Sequence, residues 1–143
     1  MNKSFSIIDH TADIGLSVTG KTLEDLFTAS AEGMFSLITD TQTVEENQSL
    51  TIEVTADSYE DLLHHWLREL LYEFSAHYYL FSRFTVRIEQ TSTGVKKLIG
   101  ICTGETIQSG KHPINMEIKT VTYHQLSVKE TPNGWEGRFI FDI

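Results

Sequence analysis

Asp57-Ser58-Tyr59-Glu60-Asp61-Leu62-Leu63-His64-His65-Trp66-Leu67-Arg68-Glu69-Leu70-Leu71-Tyr72-Glu73-Phe74 carries the strongest apolar periodicity in the chain. Leu63, Trp66, Leu67, Leu70, Leu71 and Phe74 recur at helical spacing and form one stripe. Asp57 or Ser58 is the capping residue, and Glu60 and Asp61 fall in the first turn, where the helix dipole favours acids. A stripe this wide is built to cover a sheet, with Trp66 as core rather than as part of a cofactor box.

The segments on either side supply that sheet. Upstream, Ser49–Thr55 alternates, with Leu50, Ile52 and Val54 on one face. Before it, Thr22 caps a second helix with Asp25 as its capping-box partner. Leu23, Leu26, Phe27, Ser30, Met34, Leu37 and Ile38 line one side of that helix. Phe5–Ile8 and Ile14–Thr19 read as short strands joined by an acidic turn. Downstream, Phe84–Ile88, Leu98–Thr103, Glu117–Val128 and Trp135–Phe141 are strand-like. Two helices among about seven strands, without βαβ alternation, predict an α+β two-layer sandwich. Its two main helices pack on one face of a largely antiparallel sheet. Within Glu117–Val128, alternation groups Lys119 with Val121 and Tyr123, a lysine among apolar neighbours that a bulge would reconcile.

The 143 residues fit one domain, 1–143, with 40% hydrophobic and 22% charged residues, as in a globular protein. No apolar run approaches the roughly 18 residues of a membrane helix. There is no signal-peptide pattern, and a single cysteine, Cys102, favours a reducing compartment. The expectation is a cytoplasmic protein with no membrane partner. A net charge of −9 with no basic cluster excludes direct gripping of nucleic acid, so any link to RNA runs through a partner or a metal.

Oxygen-rich chemistry is concentrated near the two ends. Asp9-His10-Thr11-Ala12-Asp13-Ile14-Gly15 places two carboxylates and an imidazole in one turn. Asp142 and Ile143 follow an apolar strand, which sets an aspartate beside the terminal carboxylate. Brought together, these groups suit a hard divalent cation, and oxygen donors accommodate calcium, magnesium or manganese alike. The plainer readings are that Asp9 and Thr11 form a turn, that His10 is packed, and that Asp142 is a frayed terminal charge. Asp13 stands apart because it projects freely beside Gly15. Phe139 and Phe141 on the face opposite Ile140 and Asp142 argue against fraying.

His64 and His65 lie about 100° apart around the helix and read as a solvated face. His77 and His112 read as loop residues. Lys119 is either an edge lysine or a cation beside the acidic cluster. No G-x-S-x-G elbow, P-loop, H-E-x-x-H or Cys-x-x-Cys is present, and Cys102 has no basic neighbour to activate it.

Taken in order, Asp9–Gly15, Leu62–Tyr72, Gly104-Glu105, Glu117–His124 and Phe139–Ile143 resemble the archease family over essentially the whole chain. Thr120 departs from the alanine of the family pattern. The resemblance implies an α+β sandwich that is not an enzyme but a protein cofactor of an RtcB-type RNA ligase. That ligase uses GTP and manganese to join RNA ends in tRNA splicing and repair. The cofactor promotes its guanylylation and multiple turnover, and meets RNA indirectly through the ligase. The resemblance also implies a metal site at Asp13, Asp142 and Ile143, with Lys119, His124 and His10 as candidates for ligase activation. Two other classes remain open: a stand-alone metal-dependent phosphoester hydrolase with His10 or His124 as base, and a chaperone-like module for RNA-modifying enzymes.

Overall fold

A computed structural model describes residues 13–143. Seven strands and two main helices follow in the order β1 (Asp13–Gly20), α1 (Leu23–Ile38), β2 (Gln48–Ala56), α2 (Tyr59–His77), β3 (Tyr79–Gln90), β4 (Lys96–Thr106), β5 (Thr120–Val121), β6 (Ser127–Thr131) and β7 (Gly134–Asp142). The α+β class and antiparallel pairing expected from sequence are observed. The strands divide into two sheets: β2-β4-β3, and a four-stranded sheet in which β7 pairs with β1, β5 and β6. The predicted strand Phe5–Ile8 lies outside the described residues.

Local chemistry explains each helix boundary. Thr22 Oγ1 accepts the Asp25 N–H at 3.0 Å, and Ser58 Oγ accepts the Asp61 N–H at 3.1 Å. Ser58, not Asp57, is therefore the cap of α2. At the other end Tyr78 takes a left-handed conformation, φ 64°, and closes the helix back onto Phe74. His77 is the last helical residue rather than a loop residue, and its Nδ1 pairs with Glu73 at 2.7 Å.

Each helix bridges the two sheets. α1 packs against β1, β7 and β3, and α2 against β2, β4 and β5. Trp66 is the centre of this layer: it is fully buried, and its indole N–H donates to the Phe27 carbonyl at 3.1 Å. Its ring lies directly on Gly100 of β4, where an added Cβ would stand 2.4 Å from the indole. No helix among the described residues is long and apolar enough to cross a membrane.

The expected single strand Glu117–Val128 is interrupted. β5 holds two residues, and the chain then turns through Tyr123–Leu126 with Gln125 in the left-handed region, φ 54°. Thr122 makes the last bond in register, its N–H and hydroxyl both donating to the Ile140 carbonyl at 3.0 and 2.9 Å, and the segment leaves the ladder after it. It rejoins β7 as β6.

Candidate metal centre

β1 and β7 position the acidic pair by simple alternation. Ile14 of β1, and Phe139 and Phe141 of β7, are buried, so the residues between them face solvent. The antiparallel register sets Ile14 opposite Phe141 and Asp13 opposite Asp142. Both aspartates are exposed. Directly opposed side chains share a face, with Cβ atoms about 4.5–5.5 Å apart. On the other edge of β7, Asp142 is opposite Thr120, and its carbonyl accepts the Lys119 N–H at 2.8 Å. Ile143, half-buried, packs against the core beyond them.

The fold thus gathers Asp13, Asp142, Ile143 and the backbone of Lys119 at one end of the four-stranded sheet. The Lys119 side chain is exposed and lines a cleft of about 440 Å³ with Phe74, Tyr78, Ile114 and Ile118. His124 is exposed on the turn after β5, with its N–H donating to Thr122 Oγ1 at 3.2 Å. Neither its imidazole nor the Lys119 amine is bonded to an aspartate among the described residues. Asp9 and His10 lie outside those residues. No group of three or more His, Cys, Asp or Glu side chains converges among the described residues. The donors that the register brings together are the two carboxylates of Asp13 and Asp142. This all-oxygen set fits a hard divalent cation, whose charge would offset the repulsion of two opposed acids.

Two polar sites escape the sequence reading. Glu105, at the end of β4, is 2% exposed. Its Oε2 accepts the Glu45 N–H at 2.9 Å, Lys111 Nζ at 2.8 Å and His112 Nε2 at 2.9 Å. Its Oε1 accepts Asn47 Nδ2 at 3.0 Å and Gln108 Nε2 at 3.3 Å. The Glu45 N–H first, then Lys111 and His112, outweigh burial and hold the carboxyl down at about 2. His112 is therefore a buried loop residue. The Gln108 N–H donates to its Nδ1 at 2.9 Å, so Nε2 carries the proton given to Glu105. This network anchors the segment that leads to Lys119. The signal for it in sequence is faint: an apolar strand ending in Glu105, with Lys111-His112 a short loop later.

His64 is the second, and it corrects the solvated-face reading. It is 5% exposed, with Nε2 2.8 Å from the Val121 carbonyl and its ring stacked on Tyr123. Its neighbour His65 is half-buried and bonds the Thr55 carbonyl at 3.0 Å. Cys102 is fully buried, and its thiol is pushed up to about 12, mainly by burial. That excludes it as a nucleophile.

Comparison with known proteins agrees with this architecture. Residues 5–143 match the model of the Archease protein family (MTH1598/TM1083). Protein archease of Methanosarcina mazei is 35% identical over 141 residues, which cover 99% of this chain and 97% of that protein. Protein archease of Saccharolobus islandicus is 37% identical over 141 residues, covering 99% of each. The solution structure of Methanobacterium thermoautotrophicum protein 1598 superposes with a TM-score of 0.83 at 34% identity, covering 95% of this chain and 96% of that one. The chain belongs to the archease family.

Proposed function

We propose that this chain is a non-catalytic, metal-binding activator of an RtcB-type RNA ligase, promoting ligase guanylylation and multiple turnover in tRNA splicing and RNA repair. Asp13, Asp142 and a backbone or terminal oxygen of Ile143 would hold one divalent ion (calcium, magnesium or manganese). The observation that carries the reading is the Asp13–Asp142 rung, two exposed carboxylates opposed at the end of a well-anchored ladder. A bound cation would supply Lewis-acid charge for phosphate and carboxylate oxygens at the partner's nucleotide site.

The chain's own residues do the rest. The net charge of −9 keeps the protein off bare RNA and steers it to a cationic or metal-bearing cleft. The buried phenylalanines of β7 hold Asp142 against fraying, so the carboxylates are pre-placed rather than recruited. Lys119, whose N–H bonds the Asp142 carbonyl, and His124, on the turn after β5, are the candidates for contact with the ligase. The protein acts in the cytoplasm on this reading.

The test is a ligase turnover assay with Asp142→Ala. Loss of multiple turnover supports the reading, and full activation by the variant overturns it. Pull-down of the ligase with and without chelator separates the other classes. Metal-independent capture favours a chaperone-like module, and phosphoester turnover by the purified protein alone favours a hydrolase.

A further inference from the structure

α2 grips the chain on both sides of the Tyr123–Leu126 turn, at points one helical turn apart. His64 Nε2 lies 2.8 Å from the Val121 carbonyl oxygen, and Glu60 Oε2 accepts the Val128 N–H at 3.4 Å. Between those points the Tyr123 ring lies flat on the imidazole, centroids 3.8 Å apart and planes 12° apart. Tyr123 is 58% exposed, so it is the cover between His64 and water.

A carbonyl oxygen accepts and never donates, so Nε2 carries the imidazole proton. Nδ1 is then a bare lone pair, and it is buried with no hydrogen-bond partner. A second proton would have to land there, creating a buried imidazolium with an unpaired donor. The groups facing this ring are Asp61, His65 and Arg68 on α2, the Val121 carbonyl on β5, and Tyr123 on the following turn. β6 presents the Val128 N–H, which Glu60 accepts. Burial, with Arg68 and His65, outweighs Val121 and Asp61 and lowers the His64 pKa below its usual 6.5.

We propose that His64 is a proton-operated latch: neutral, it pins β5 and the following turn to α2, and protonated, it moves to solvent past Tyr123 and lets them go. The released segment carries Lys119, bonded to the Asp142 carbonyl, and His124. Acid therefore loosens the flank of the aspartate pair, and this regulation of the site rests on the activator reading. The latch itself needs neither metal nor ligase. Between the lowered folded pKa and the ordinary unfolded one, the unfolded chain binds more protons, so stability also falls as pH drops.

The experiment is amide hydrogen exchange on the full chain in chelator, from about pH 7.5 to about pH 5, across the ordinary histidine range. Protection at Lys119, Thr122 and Val128 is measured relative to β3–β4 amides. It should fall by up to about tenfold per pH unit between the ordinary histidine pKa and the lowered one of the closed state, the slope of a one-proton linkage. His64→Gln keeps a donor of similar reach but cannot titrate, so its protection should stay high and flat. His64→Leu should be poorly protected at every pH. Flat wild-type protection, or a pH slope that survives in His64→Gln, overturns the latch. Should His64→Gln fail to fold, the wild-type ring ¹⁵N shifts decide. They must report the Nε2–H tautomer at neutral pH and titrate with the same midpoint as Thr122 protection, and separate midpoints overturn the proposal. A failed metal reading would show in ligase turnover and leave this exchange pattern intact.

Discussion

Asp13 and Asp142 form one rung of the β1–β7 ladder, a pair of like charges where cross-strand neighbours ordinarily attract or pack. Such a rung is a standing cost to the fold, and it marks where a cation is to be sought. Without divalent ions, Asp142→Asn should raise stability by about 0.2–1 kcal/mol by relieving the repulsion. Thermal melts with and without manganese or calcium provide the check. The wild type should gain stability on adding the ion, and the variant should not. Equal gains in both would remove Asp142 from the site.

Glu105 predicts an acid transition. Its pKa is depressed from 4.5 to about 2 in the fold, so the unfolded chain binds the proton first as pH falls. The stabilisation is complete above about 4.5 and is lost as pH drops toward about 2. Urea midpoints measured through that window should decline in the wild type. Glu105→Gln should begin lower at neutral pH and show a shallower decline. A parallel decline in both proteins would mean that another carboxylate carries the acid sensitivity.

Gly100→Ala should destabilise by about 1–3 kcal/mol, the usual cost of overpacking a filled core. The added methyl would stand 2.4 Å from the Trp66 ring, which is pinned by its bond to Phe27 and cannot move aside freely. Denaturant unfolding with tryptophan fluorescence measures both the loss and the shift of the indole. A neutral substitution would show that α2 can lift off β4 at little cost.

Cys102 should resist alkylation in the native protein, since its thiol is fully buried and pushed up to about 12. Labelling by iodoacetamide should follow global unfolding, with a rate that rises in urea in step with the loss of structure. Fast native labelling would contradict the packing of β4.

What the sequence made legible was periodic and local. The Leu63–Phe74 stripe, the Thr22–Asp25 cap, and the alternation of Phe139 and Phe141 with Ile140 and Asp142 all express short-range rules that the fold leaves intact. The Tyr123–Leu126 turn is hidden because Glu117–Val128 alternates like a strand, while the turn is closed by the Leu126 N–H on the Tyr123 carbonyl with Gln125 left-handed, a conformation alternation does not signal. His64 looked solvated because its cover, Tyr123, and its acceptor, Val121, are remote in sequence. Glu105 escaped for the same reason, as Glu45, Asn47 and His112 converge on it from separate segments. The division into two sheets depends on long-range pairing that alternation alone does not encode. The acidic pair lies between these cases: each aspartate was visible, and the register supplied their opposition.

β7 is the hub onto which β1, β5 and β6 all pair, and it follows all three in the chain. During synthesis β1 must wait for β7 to be translated before its ladder can zip, a contact of high sequence separation and hence a slow one. A nascent chain halted before β7 would leave β1, β5 and β6 without their partner and would lack the Asp13–Asp142 rung. Assembly of the acidic pair thereby waits on the hub strand, and the rung appears only once all four strands of its sheet are in place.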